Sequence, residues 1–356
     1  MRKAIALAKK GSSRVSPNPR VGCLLVKKGE IISGGYHHHF GGAHAEINAL
    51  RGAGAKAKGS TMYVNLEPCC HYGKTPPCTE AIIEAGVEKV IVGMVDPNPL
   101  VNGKGLRRLR AGGVKTRLGI LEEECRKLNE YYIKYIRRGL PFVVLKSAMS
   151  LDGKIATASG DSKWITSKAS RKYVRTLRGR VDAILVGINT VLRDNPGLTS
   201  SRLGKGPVRV VLDSHLRIPL NARVLNSRAP TIVVIQREAD EERIKSLKAR
   251  GVEVLRIPKW RKHPWRGLDL KYLMKKLAGK GITSVLIEGG GKVNASALEM
   301  GLVDKLLLFI APKIVGGENS ITPVEGEGVD RIGEAIKLKD IKVRRFGEDI
   351  LFEGYV

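Results

Sequence analysis

The 356-residue chain carries 63 lysines and arginines against 34 aspartates and glutamates, a formal charge of +29, with 42% hydrophobic and only 5% aromatic residues. That length accommodates two domains of ordinary size, and the sequence has no run of about 18 apolar residues to span a bilayer. Five cysteines do not build a disulfide scaffold in a chain this long. The excess charge raises the question of a nucleic-acid partner, yet it divides evenly, +13 over residues 1–140 and +16 over the rest. Without a basic tail or stripe, affinity for small phosphorylated substrates explains it equally well, and no nucleic-acid role is expected.

The opening Met1–Gly11 sets Arg2, Lys3, Lys9 and Lys10 around a short, interrupted apolar stretch. No small-residue cleavage site follows, so it reads as an amphipathic helix and not a signal peptide, and the expected location is cytoplasmic. Val21–Lys27 and Ile31–Gly35 form a hairpin pattern around Lys28-Gly29. A helix over His44–Gly54, a strand over Thr61–Leu66, a helix over Pro76–Ala85 and a strand over Lys89–Val95 follow. After a Pro/Asn/Gly loop, Pro97–Gly103, come another helix and a charged one over Glu122–Arg138. Such alternation predicts a layered α/β domain. Gly139 and Pro141 end it, which places the boundary at 140/141.

A second α/β set begins at Phe142–Ala148. Its further strands are expected at Ala183–Gly187, Val208–Leu212, Thr231–Ile235, Val252–Ile257, Ser284–Glu288 and Lys305–Ile310. Helices are expected at Lys168–Arg178, Asp240–Arg250, Leu268–Ala278 and Val293–Met300. Val343–Phe346 and Ile350–Tyr355 read as a closing hairpin.

The chemistry concentrates in His44-Ala45-Glu46, Glu67-Pro68-Cys69 and Cys78. A catalytic zinc takes three protein ligands and keeps one position for water. One histidine and two thiolates meet that count, and Glu46 is then free to shuttle protons. Zinc nucleobase deaminases carry this His-x-Glu and Pro-Cys-x-x-Cys signature. Here eight residues separate the two cysteines, and Cys70 and His71 inside that interval compete as ligands. Buried thiols beside a chance histidine are the bland alternative.

The segments Gly35-Tyr36-His37, His44-Ala45-Glu46, Glu67-Pro68-Cys69 and His71 through Cys78 resemble the bifunctional bacterial riboflavin-biosynthesis deaminase/reductase family. So does Ser16-Pro17-Asn18-Pro19-Arg20-Val21-Gly22. The family's first-cysteine motif usually continues with serine, and Cys70 departs from it. The resemblance places Met1 within the family's first helix. It implies a cytidine-deaminase-like three-layer α/β/α domain over residues 1–140, with zinc on His44, Cys69 and Cys78 and Glu46 as the catalytic proton carrier. Asn18 would hold the pyrimidine and His37 would border the substrate.

In the second half, Leu286-Ile287-Glu288 leads into Gly289-Gly290-Gly291-Lys292-Val293-Asn294, a strand, three glycines and the start of a helix. Glycines let backbone approach a phosphate, and a helix N-terminus offers N–H donors. A tight turn is the bland alternative. Lys146 through Ala156, Ser162 through Thr166, Thr190 through Pro196 and the glycine loop resemble the same family's reductase domain, which implies a dihydrofolate-reductase-like α/β domain over 141–356. Carried over by position, Ala148, Trp164, Thr190, Asp194 and residues 289–294 would contact NADPH. Ser162, Arg178, Leu198, Arg202 and Glu288 would contact a phosphorylated pyrimidine substrate. The resemblance thus implies deamination of a diaminopyrimidinone ribosylamine phosphate and NADPH reduction of its ribosyl chain by a homo-oligomeric enzyme. A tRNA deaminase with an accessory domain is the main rival, and a binding protein that has lost activity is the second.

Overall fold

The computed structural model describes residues 1–73, 75–200, 206–236, 240–260 and 267–356. The chain divides into two compact units, Met1–Leu140 and Pro141–Val356.

In the first unit, helix α1 (Arg2–Ala8) precedes the hairpin of β1 (Gly22–Lys27) and β2 (Glu30–Tyr36). Then come α2 (Ala45–Ala53), β3 (Thr61–Leu66), α3 (Cys78–Glu84), β4 (Lys89–Met94), α4 (Lys104–Ala111), β5 (Lys115–Leu118), α5 (Glu122–Leu128) and α6 (Glu130–Arg138). The sheet runs β2-β1-β3-β4-β5; β1 is antiparallel to β2 and β3, and β3, β4 and β5 are parallel. Helices α1 and α5 contact the sheet and each other, while α2, α3 and α4 form a connected second set, giving three layers. The core between them is small and aliphatic: Leu25, Ala49, Met62, Val64, Ile82 and Val92 have no exposed surface.

Two glycines set how closely the helices lie. A Cβ on Gly22 would sit 2.2 Å from the Ala4 carbonyl oxygen of α1, and one on Gly35 would sit 2.5 Å from the Ala49 amide nitrogen of α2. Both helices therefore rest on bare backbone, a separation no side chain permits. The predicted helix over 122–138 is broken at Asn129 (φ −107°, ψ 18°). Its buried carboxamide pairs with the Arg20 main chain in both directions, Oδ1 accepting from the amide at 2.8 Å and Nδ2 donating to the carbonyl at 3.1 Å.

The second unit comprises β6 (Phe142–Ser150), α7 (Lys168–Arg178), β7 (Ala183–Gly187), α8 (Ile188–Asp194), β8 (Val208–Leu212), β9 (Thr231–Ile235) and α9 (Glu241–Ala249). It continues with β10 (Glu253–Arg256), α10 (Leu270–Gly279), β11 (Ser284–Ile287), α11 (Gly291–Glu299), β12 (Lys305–Ala311), β13 (Lys339–Phe346) and β14 (Asp349–Tyr355). Nine strands form one sheet in the order β10-β9-β8-β7-β11-β6-β12-β14-β13. All neighbours are parallel except the last two pairs, β12/β14 and β14/β13. The central strands β7 and β9 are buried throughout, as parallel strands covered on both faces must be.

Because α2 carries Glu46 and begins next to His44, the Gly35 contact sets their position. Gly35→Ala should cost the first unit about 1–3 kcal/mol through overpacking and lower its zinc affinity. Thermal unfolding and metal titration of the variant check this; unchanged values would mean that α2 can shift without consequence.

Candidate metal centre and reductase cleft

Three separate elements deliver the donors of the first site. His44 caps the start of α2, Cys69 follows the end of β3, and Cys78 is the first residue of α3. Their ligand atoms all lie within 4.8 Å of one another. His44 Nδ1 is 3.3 Å from Cys78 Sγ and 3.5 Å from Cys69 Sγ, so this nitrogen faces both sulfurs. The Cys78 amide also donates to Cys69 Sγ at 3.4 Å. One imidazole nitrogen and two sulfurs around one point form a donor set suited to zinc.

The electrostatics favour a thiolate at Cys69. The hydrogen bond to Cys78 brings the Cys69 thiol down to about 4, against the effect of burial and with help from His44. The same Cys69 bond and burial push Cys78 up, so the pair shares its proton unequally. Cys69 in turn raises the His44 imidazole through its hydrogen bond. Glu46 is 3% exposed, and burial lifts its carboxyl to about 7, with the charge of His44 opposing.

Cys70 and His71 do not join this cluster among the described residues. Cys70 Sγ points to the Leu100 carbonyl at 3.9 Å, whereas His71 lines the cavity with its Nδ1 unpartnered. The cavity holds about 290 Å³ and is also lined by Asn18, His37, His44, Glu46, Cys69, Asp96 and Tyr132. His37 Nδ1 is 3.0 Å from the Ala43 carbonyl, which can only accept, so Nδ1 carries the proton and Nε2 accepts from Asn18 Nδ2 at 3.1 Å. This fixes the Asn18 amide with its nitrogen turned to His37. His37 is itself 2% exposed, and burial lowers its pKa, keeping the ring neutral. His38 stacks on Tyr36 and lies outside the cavity lining.

Two buried acids shape the walls of this cavity. Glu67 accepts the Asp96 and Gly103 amides on Oε2 at 3.2 and 2.9 Å and the Leu106 amide on Oε1 at 3.0 Å. It ties the strand end before Cys69 to the loop and helix that wall the cavity. A Cβ on Gly105 would lie 2.1 Å from the Pro68 carbonyl oxygen, so α4 can reach Glu67 only through glycine. Asp96 accepts from Tyr132 Oη and the Asn98 amide, each at 2.9 Å, and burial lifts its carboxyl to about 6. Glu67 was visible beside Pro-Cys; Tyr132, on a helix 36 residues beyond Asp96, gave no local signal.

In the second unit, a cleft of about 540 Å³ is lined by Ser162, Thr190, Asp194, Gly290, Gly291, Lys292 and Val293. These come from the 156–162 loop, α8 and the start of α11. Ser162 donates to Asp194 Oδ1 at 3.2 Å. Ala148, Trp164, Arg178, Leu198, Glu288, Gly289 and Asn294 are not among the described residues that line it. Trp164 is 62% exposed with the Arg171 guanidinium 4.4 Å from its ring centroid. Asn294 is fully buried and donates to the Pro323 carbonyl at 2.8 Å. Arg202 lies outside the described residues.

Arg178 and Glu288 are each other's partners. The guanidinium makes a two-pronged bond to the carboxylate at 2.7 and 2.8 Å, and Nη1 adds a bond to the Thr199 carbonyl at 3.3 Å. Burial works against both charges, yet each holds the other ionised: Arg178 is shifted up and Glu288 down. Burial lowers the neighbouring Lys146 in spite of Glu288. The arginine fork expected to grip a phosphate is thus already engaged, leaving only its outer edge for a ligand.

Comparison with known proteins accounts for the whole chain. Residues 1–94 match the cytidine and deoxycytidylate deaminase zinc-binding region, and residues 141–352 match the RibD C-terminal domain. Riboflavin biosynthesis protein RibD of Actinobacillus pleuropneumoniae is 47% identical over all of this chain and 94% of its own length. That of Aquifex aeolicus is 46% identical over all of this chain and 98% of its own. The crystal structure of a Thermotoga maritima diaminohydroxyphosphoribosylaminopyrimidine deaminase/5-amino-6-(5-phosphoribosylamino)uracil reductase superposes with a TM-score of 0.87 at 39% identity, covering 100% of this chain and 97% of that one. A full-length match of this kind does not favour the tRNA-deaminase reading, which leaves the second unit unexplained. The chain belongs to the RibD family of bifunctional riboflavin-biosynthesis deaminase/reductases, enzymes that use zinc and NADPH.

Proposed function

We propose that the first unit deaminates a diaminopyrimidinone ribosylamine phosphate and that the second reduces the ribosyl chain of the aminouracil product to ribityl. The observation that carries this is the convergence of one imidazole nitrogen and two sulfurs beside a buried carboxylate. His44, Cys69 and Cys78 would hold the zinc, which when bound acidifies water enough to supply a nucleophile near neutral pH. Glu46 takes the proton released as water attacks the amine-bearing carbon. It passes a proton to the departing nitrogen, so a C–O bond forms, the C–N bond breaks and ammonia leaves. A carboxyl near 7 suits both halves of that exchange. Asn18, with its nitrogen engaged by His37, offers its oxygen to an N–H donor of the pyrimidine.

In the second unit NADPH supplies the hydride, and the protein's task is placement. The α11 N-terminus and the glycines before it suit a cofactor phosphate, with Thr190, Asp194, Lys292 and Val293 along the same cleft. By family resemblance Ala148, Trp164, Gly289 and Asn294 complete the cofactor side, and Ser162, Leu198 and Arg202 the substrate side. The Arg178–Glu288 pair orients groups there as one unit. Among the described residues no helix is long and apolar enough to cross a membrane and all five cysteines are free, which supports a cytoplasmic location.

Glu46→Gln should retain zinc, lower ammonia release by about 10²–10⁴-fold, and leave NADPH oxidation on supplied aminouracil intact. Joint loss of both activities would refute two independent sites. Metal analysis should find one zinc per chain in the wild type and almost none in Cys78→Ala; a variant that keeps its zinc would show that another group completes the ligand set.

Glu288→Gln should destabilise the second unit by about 3–5 kcal/mol, because Arg178 then keeps a buried charge without its counter-ion. Since Glu288 is held below its ordinary value, its contribution is present above the unfolded carboxyl pKa, about 4.3, and is lost as pH falls through the lower folded value. Denaturant unfolding of wild type and variant at neutral and acid pH reads this directly. Equal stability at neutral pH would show that the pair contributes nothing net.

A further inference from the structure

The loop of residues 37–44 between β2 and α2 sets an aromatic side chain at the mouth of the deaminase cavity. Both of its stems are tied. The His37 amide donates to the Val21 carbonyl at 3.0 Å. Asn48 of α2 spans the two ends, its Nδ2 donating to the Tyr36 carbonyl at 2.9 Å and to the Ala43 carbonyl at 3.4 Å. The tip is a closed turn. The Gly42 amide donates to the His39 carbonyl at 3.1 Å, and Gly41 takes a φ of +81°, which lets the chain reverse just after Phe40. The Phe40 amide itself donates to the Arg14 carbonyl at 3.0 Å. The backbone that carries this ring is therefore held in place before any ligand arrives.

Phe40 lines the same cavity as Asn18, His37, His44 and Glu46, yet it is 42% exposed. Every other apolar side chain that lines the cavity among the described residues is buried or half-buried. A ring fixed at the opening of a polar cavity, and left partly in water by the fold, gains burial when a flat ligand enters. The chemistry of a pyrimidine matches this arrangement. Its hydrogen-bonding groups lie on its edge, where Asn18, Glu46 and Asp96 supply amide and carboxyl partners. Its two faces are apolar, and the face turned to solvent needs an aromatic plane to cover it. Phe40 is the lining residue placed to provide one.

Resting on the reading of the first unit as a pyrimidine deaminase, we infer that Phe40 is a substrate-binding residue whose ring stacks on the solvent side of the pyrimidine. The contact is to the ring as a whole and not to the C–N bond that breaks. It therefore stabilises bound substrate and transition state alike, and its loss appears in KM and not in kcat.

Steady-state ammonia release by the full-length, zinc-loaded protein on the diaminopyrimidinone ribosylamine phosphate tests this. Phe40→Ala should raise KM by about 10-fold or more, the usual effect of removing an aromatic that stacks on a base, with kcat near the wild-type value. Phe40→Tyr keeps the flat ring and should restore KM. Phe40→Leu keeps apolar bulk without the plane and should stay closer to alanine. Zinc content and thermal midpoint should match the wild type in all three. A wild-type KM in Phe40→Ala, a rise that leucine reverses as fully as tyrosine, or a loss of zinc and kcat in place of a KM effect overturns the stacking contact and leaves the deaminase reading standing. No ammonia release by the wild type would overturn that reading and the inference with it.

Discussion

The deaminase unit depends on a convergence constraint. A histidine and two cysteines spread over 35 positions must bring one nitrogen and two sulfurs to a single point, and each comes from a different element. None of these elements can hold its donor alone. The α2 helix is placed by its contact on Gly35, the β3 end by Glu67, and α3 by the amide of Cys78 against the Cys69 sulfur. The core beneath is made of small aliphatic side chains with no exposed surface, which gives little room for adjustment. The site is therefore as rigid as the packing, as a preorganised catalytic centre requires.

The two units solve different chemical problems and differ in polar architecture accordingly. Deamination moves protons, and its cavity gathers titratable groups shifted toward neutrality by burial, Glu46 and Asp96 above all. Hydride transfer belongs to the cofactor, so the reductase cleft needs placement more than proton transfer: glycines and aliphatic side chains such as Ile188, Leu212 and Val293 line it beside Ser162, Thr190 and Asp194. The Arg178–Glu288 ion pair beside it holds both partners charged and moves no proton.

Local motifs and periodicity were legible in the sequence; pairings across the fold were not. The His-x-Glu and Pro-Cys patterns pointed to the candidate ligands because each is contiguous, and most strands of both sheets read as apolar runs. The short strand Lys115–Leu118 was missed because three of its four residues are polar and most are exposed. The helix Ile188–Asp194 was missed because it follows a strand with no intervening loop. The break at Asn129 has no local cause: it follows from a hydrogen-bonded pairing with Arg20, 109 residues away. The same holds for the bond between Glu288 and Arg178, which lies 110 residues earlier in the chain.

The choice among the clustered cysteines shows why spacing alone could not settle the ligand set. Cys69 and Cys70 are adjacent, yet their sulfurs face different groups. With Cys69 facing His44, Cys70 is turned toward the Leu100 carbonyl, and it feels the charges of Glu67 and Cys69, which together with burial raise its thiol. Cys78 competes on better terms. It opens α3, and its own amide already donates to the Cys69 sulfur, which holds the two sulfurs side by side. The eight-residue interval between the ligands is thus a consequence of geometry: it is long enough for the chain to leave the strand end and return as the first turn of α3, carrying the second sulfur back to the first.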